Sequence, residues 1–265
     1  MPSLQSNGIN LYYETYGQGE PLVLVAGFTA DHTAWYTVTE ALSKHYQVII
    51  FDNRGAGQSD IPKGPYSIDQ MADDVISLCD ALDIQQAHFI GSSMGGFIVQ
   101  TLAHRYAERV KSVVICNSVA KPESCYNIFA EAQLQLMKAG APAKAIIQIG
   151  LSWAFSQQFL SHNNMLDTLI ELNLNNPYPF SIEGFEAQFA ALQGFDSTPW
   201  LSSLKLPVLV TGSDEDIVFL EPSMKHIADT VKDAEYYRFE RCGHLPYIEY
   251  PEAFVSRVLL FLQQS

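Results

Sequence analysis

Positive charge is scarce in this chain. Across 265 residues there are 15 Lys and Arg against 29 Asp and Glu, a formal net charge of −14. A surface this acidic repels phosphate backbones and anionic headgroups over a Debye length, which argues against a nucleic-acid or membrane-surface role. Long apolar runs are missing as well. The longest, at 21–28 and 110–116, fall far short of the ~20 residues that a membrane-spanning helix needs, and none follows residues 1–8. The expectation is a soluble chain without a signal peptide. Cysteine is sparse: Cys79, Cys116, Cys125 and Cys242 form no CxxC pair, which fits free thiols in a reducing cytoplasm better than a disulfide framework. Cys242, two residues before His244, reads as a small apolar filler rather than a nucleophile. No internal repeat and no low-complexity tract is present.

What is abundant is core material. Hydrophobic residues make up 48% and charged residues 17%, so global disorder is excluded. The length suits one large domain with a smaller element embedded in it. Residues 9–16 alternate apolar and polar, while 21–26, 47–51, 88–90 and 112–116 are short and nearly all apolar, as strands buried on both faces of a parallel sheet must be. Helical periodicity lies between them, at 68–82 behind the cap-like Ser67 and at 96–105. This β-α-β-α order predicts right-handed crossovers and a parallel sheet covered on both sides. From 119 to 205 the strand signal stops, and helical runs at 126–139, 143–159, 165–174 and 182–192 follow one another. Strand-like segments resume at 206–211 and 235–239, and an apolar-periodic helix at 252–262 closes the chain. The expected organisation is a core made of 1–118 and 206–265, with an inserted helical cap at 119–205.

The chemistry centres on Gly91-Ser92-Ser93-Met94-Gly95-Gly96. Ser93 falls between a buried strand and a helix, with Gly two residues to either side. A serine on such a turn is held in a strained conformation that exposes its hydroxyl, and the helix start beneath it offers free N–H groups to a developing oxyanion. A base for it is sought among seven histidines. His88 and His104 fall inside elements flanking the turn, His45 and His226 on helix surfaces and His162 in the cap. His32 lies close enough to the Gly27-Phe28 turn to touch a substrate. His244, after a glycine in the loop beyond the last strand, has the mobility and position of a general base.

Five segments together resemble the α/β-hydrolase family, in particular its lid-bearing esterases, lactonases and carbon–carbon hydrolases. They are Val25-Ala26-Gly27-Phe28-Thr29, Asp52-Asn53-Arg54-Gly55-Ala56-Gly57-Gln58-Ser59, the turn at Ser93, the acidic turn at 212–218 and Cys242-Gly243-His244. Among named members, 3-oxoadipate enol-lactonases are the nearest resemblance. This chain has Ala26-Gly27 where relatives often carry His-Gly. The resemblance implies an α/β-hydrolase fold with a mostly parallel sheet and an inserted helical cap, and a Ser-acid-His order along the chain. It also implies oxyanion-hole N–H groups from Phe28 and Met94, and an ordering rather than catalytic role for Arg54 and Asp52. For the acid, counting from Gly212 gives Glu215, whereas the register back from His244 gives Asp216. Asp216 is preferred, Glu215 is the alternative and Asp214 comes third.

The activity so implied is cleavage of a small carboxylic ester or lactone through an acyl-enzyme, with no cofactor, no metal and a small-molecule partner. Carbon–carbon hydrolysis and carrier-protein methyl-ester hydrolysis stay open. So does another class, a small-ligand receptor that keeps the three residues but turns over little. The cap aromatics Trp153, Phe155, Phe159, Tyr178, Phe180, Phe185, Phe189 and Trp200 divide between cap core and pocket wall in a way that the sequence leaves undecided.

Overall fold

A computed structural model describes residues 3–162 and 164–264. In chain order the sheet strands are β1 (Ser3–Ser6), β2 (Ile9–Tyr16), β3 (Pro21–Val25), β4 (Gln47–Phe51), β5 (Ala87–Ser92), β6 (Val110–Cys116), β7 (Val208–Ser213) and β8 (Glu235–Phe239). They lie side by side as β1-β2-β4-β3-β5-β6-β7-β8. β1 and β2 pair antiparallel, as do β2 and β4, and every later neighbour is parallel. The short apolar runs are the central strands because alternate side chains feed two different cores. Val23 and Val25 face one with Ile49, Phe51 and Phe89, whereas Leu22 and Leu24 face the other with Val48, Ile50 and Ile90.

Helices cover both faces. On the first lie α2 (Ile68–Ala81), whose N-cap Ser67 accepts the Gln70 N–H, and α3 (Met94–Arg105). On the second lie α1 (Tyr36–Leu42) and α11 (Pro251–Leu262). Between β6 and β7 the chain is helical throughout its regular elements: α4 (Ser124–Lys138), α5 (Ala143–Ala154), α6 (Gln157–Leu160), α7 (Met165–Leu174) and α8 (Ile182–Gln193). Beyond them come α9 (Glu221–Thr230) and α10 (Pro246–Glu249). The helical segment is held in two ways. Tyr126, Ala130 and Leu134 of α4 and Phe185, Phe189 and Leu192 of α8 belong to the first sheet core. Leu151, Phe155 and Ile170 instead form a separate small core packed on Leu245 and Ile248.

Two of the differences from the sequence pattern have a plain physical cause. The run 143–159 is two helices, because Phe155 is extended (φ −120°, ψ 150°) and Ser156 caps α6 by accepting the Phe159 N–H. β1 has no sequence signature because its residues are largely exposed. It is fastened through Asp74 of α2, whose carbonyl accepts from Ser6 Oγ at 3.2 Å and whose carboxylate accepts from Asn7 Nδ2 at 3.0 Å. The four cysteines are free and all but Cys125 are buried. Among the described residues no helix is long and apolar enough to cross a membrane.

Asp74 also takes both Nε and Nη2 of Arg54, at 2.5 and 2.6 Å, and the two side chains are buried. This fixes the loop after β4, because Arg54 then presents its carbonyl to Gln188 of α8 at 2.8 Å. Removing one partner leaves a buried, uncompensated charge. Asp74→Ala is therefore expected to lower the unfolding free energy by about 3–5 kcal/mol in urea titrations. The double substitution Arg54→Met with Asp74→Leu is expected to restore much of that loss; a double variant as unstable as the single one contradicts the assignment.

Candidate active site

Ser93 leaves β5 with φ 55° and ψ −118°, a left-handed conformation that costs an L-residue roughly 1–3 kcal/mol. The surroundings enforce it. Its N–H donates to the Cys116 carbonyl at 3.0 Å, and its carbonyl accepts from Gly96 N at 2.9 Å and Ser118 Oγ at 2.8 Å. The flanking glycines are required by backbone contact. A Cβ at Gly91 would overlap the Gly95 carbonyl, and one at Gly95 would overlap the Val25 carbonyl. Gly27 approaches less tightly on the other side, where a Cβ would sit 3.1 Å from that of Ser93. Neither Phe28 N nor Met94 N is taken by a protein acceptor among the described residues, and Phe28 and Ser93 line one cavity.

His244 lines the same cavity. Its Nδ1 lies 2.7 Å from Asp216 Oδ2, a contact that places the proton on Nδ1 and leaves Nε2 as an acceptor. Nε2 is buried with no hydrogen-bond partner, so it makes no bond to Ser93 Oγ here; such contacts often tighten only around substrate. Of the three carboxylates in the acidic turn, Asp216 alone faces the imidazole. It is 4% exposed, and its Oδ1 accepts the N–H groups of Val218 and Phe219 at 2.8 and 3.1 Å. Glu215 and Asp214 are exposed. Backbone bonds from Asp214 N to Phe239 O and from Glu215 N to Cys242 O twist the turn so that the third acid points inward.

Several site residues escaped the sequence reading. Asn117, also at positive φ, donates Nδ2 to Asp216 Oδ2 at 3.0 Å and to Ser213 Oγ at 2.9 Å. Its signal was an Asn just after a strand, a residue that tolerates the left-handed region. Gln188 accepts the Thr29 N–H at 2.9 Å while donating to Arg54 O, so α8 sets the Phe28-Thr29 turn. Phe28 also packs edge-on against Phe185 at 4.6 Å. Glu249 accepts Gly243 N at 3.0 Å, Ser156 N at 3.0 Å and Ser156 Oγ at 2.6 Å, and His244 N donates to Ala154 O at 2.8 Å. The His244 loop is thereby stitched to the end of α5.

The cavity holds about 660 Å³, within the range of small-molecule sites. Trp153, Phe155, Tyr178 and Phe180 line it, whereas Phe159, Phe185, Phe189 and Trp200 do not. His32 does not line it either. Its N–H and its Nδ1 both engage Asp52 Oδ1, at 2.6 and 2.8 Å, and its ring sits between Tyr12 and Tyr36, so it satisfies a buried acid instead of meeting substrate. Asp31, His32 and Asp52 bring potential metal-ligating atoms within 4.8 Å of one another. Those atoms are engaged by Thr33, Asn176, Gln58 and one another, as a structural polar network. Cys242 is buried, and burial pushes its thiol up, away from thiolate.

Residues 20–251 match the family model described as alpha/beta hydrolase fold. The chain is 30% identical to 3-oxoadipate enol-lactonase 2 of Acinetobacter baylyi, over 95% of this chain and 92% of that one. It is 29% identical to 2-hydroxymuconate semialdehyde hydrolase of a Pseudomonas species, over 97% and 92%. The crystal structure of an enol-lactonase from Burkholderia xenovorans superposes with a TM-score of 0.88 at 28% identity, covering 99% of this chain and all of that one.

Burial, the largest influence, holds the Glu249 carboxyl above the ordinary carboxylate range, against the opposing effect of the Ser156 and Gly243 donors. The folded state therefore retains this proton at a pH where the unfolded chain has released it. The stabilising contribution is full below about pH 4.3 and is lost as pH rises through the higher folded value. Urea midpoints measured from pH 4 to 8 are expected to show the wild type losing stability relative to Glu249→Gln as pH rises. A pH-independent difference removes this account.

Proposed function

The chain belongs to the α/β-hydrolase fold family, and on that premise we propose that it is a serine hydrolase of small carboxylic esters or lactones. Ser93 is the nucleophile, His244 the general base, Asp216 the acid that orients it, and the N–H groups of Phe28 and Met94 form the oxyanion hole. The observation that carries this is the combination of a strained, cavity-facing Ser93 with a buried His244 whose Nδ1 is held by Asp216 and whose Nε2 is unpaired. In this reading His244 Nε2 takes the Ser93 proton as Oγ adds to the carbonyl carbon. The oxygen turns negative against two N–H groups that have no competing acceptor. Collapse of the adduct expels the alkoxide, protonated by His244, and leaves an acyl-serine. Water, deprotonated by the same imidazole, then releases the acid. Residues 119–205 act as the cap that shields this acyl-enzyme from bulk water.

The lactonase activity named for the Acinetobacter relative supports an acyl substrate, and the volume and aromatic wall of the cavity support a compact one. Ser93→Ala is expected to reduce turnover of a short-chain aryl ester by something approaching a million-fold. Asp216→Asn is expected to reduce it by about four orders of magnitude. Glu215→Gln, at an exposed position, is expected to leave it near wild type. Fluorophosphonate labelling at a residue other than Ser93, or loss of activity in Glu215→Gln alone, overturns the assignment. Single turnover in place of cycling would indicate a receptor.

A further inference from the structure

Charge is distributed unevenly around the cavity. Among the described residues that line it there is no Lys and no Arg, and Asp31 is its only carboxylate. Asp31 is held in place, accepting Thr33 N at 2.9 Å and Asn176 Nδ2 at 2.8 Å. Besides Ser93 and His244, the polar side chains of the walls are those of Tyr, Gln, Asn and Thr residues, Tyr126, Gln133, Asn173, Asn176 and Tyr178 among them, with Thr29 and Thr33 at the Asp31 end. Burial pushes the Tyr126 phenol far up, so it stays a neutral hydrogen-bonding group. Of the cations adjacent in sequence to wall residues, Lys138 of α4 is paired with Glu186 at 2.9 Å, and Lys144 of α5 is exposed and does not line the cavity.

Resting on the hydrolase reading above, we infer that this site takes electrically neutral esters or lactones and rejects those that carry a free carboxylate elsewhere in the molecule. A carboxylate drawn into this space loses its hydration, finds no cation to replace it, and meets a fixed acid in a medium that screens poorly. The net charge of −14 also disfavours its approach. The neutral donors and acceptors, by contrast, match the ether, hydroxyl and carbonyl oxygens of an uncharged substrate. Members of this fold that process carboxylate-bearing lactones would need a cation that this cavity lacks.

The test compares ethyl hexanoate with monoethyl adipate, two esters of one acyl length that differ by a terminal carboxylate. The expected kcat/KM ratio favours the neutral ester by on the order of 100-fold or more. Gln133→Lys, which puts a cation on the wall, is expected to shrink that ratio by about tenfold or more. Rates within roughly threefold of each other, or a ratio unmoved by Gln133→Lys, overturn the inference. A second measurement does not require turnover: quenching of Trp153 fluorescence by hexanamide and by adipic acid monoamide, with Trp153→Phe as control. If neither ester is cleaved but hexanamide binds and its carboxylate analogue does not, the hydrolase reading fails while the charge inference stands. Equal binding of the two amides, or binding of neither, removes the charge inference too.

Discussion

The close backbone approach at the start of α3 is the constraint on which the site depends. Gly91, Gly95 and Gly27 let three pieces of main chain meet where any Cβ would collide or crowd. That contact holds Ser93 at a φ that an isolated serine avoids and fixes the direction of its side chain. It also sets the first turn of α3 against β3, beyond whose end Phe28 lines the same cavity as Ser93. A single methyl group at Gly95 would separate these pieces, since its nearest neighbours are backbone atoms of Val25 and Ala26 that cannot rotate away.

Around that contact the site is a set of dependencies between segments distant in sequence. Asn117 ties the end of β6 to Asp216, which ties the turn after β7 to His244. Gln188 joins α8 to the Thr29 turn and to the loop after β4. Glu249 and Ala154 O join the His244 loop to α5. None of these bonds is exceptional in strength. Those of Asn117, Asp216 and Gln188 to Arg54 are buried, and a buried polar group that loses its partner costs about 1–3 kcal/mol, which is why they hold their segments in one position.

Much of this was legible in the sequence where burial leaves a pattern. Strands covered on both faces read as short apolar runs, and Gly91-x-Ser93-x-Gly95 between strand and helix pointed to the strained turn. β1 was illegible because an edge strand fastened by Asp74 has no apolar period to display. The break at Phe155-Ser156 was illegible because the N–H that leaves the helix there goes to Glu249, 93 residues away. The acid could not be fixed by counting, since Glu215 and Asp216 are adjacent. The backbone bonds from Asp214 to the end of β8 and from Glu215 to the loop beyond it decide which of them turns inward. Asn117, Gln188 and Glu249 carry no local motif, because each is defined by what another part of the chain brings to it.

The stitching of the His244 loop to α5 has a consequence for how such a site can diversify. Among the described residues, the walls contributed by α4 and by the 176–182 segment make no hydrogen bond to His244, Asp216 or Glu249, and Tyr126 of α4 meets only the Phe219 ring beside the imidazole. The wall contributed by the end of α5 is hydrogen-bonded to His244 itself. Substitutions that reshape the first two change what fits, one variable at a time. Substitutions around Ala154 and Ser156 move the base and the cavity together, so they rarely yield a new specificity without disturbing proton transfer. The cavity therefore has one side on which selection can work freely and one side where every change in shape is also a change in chemistry.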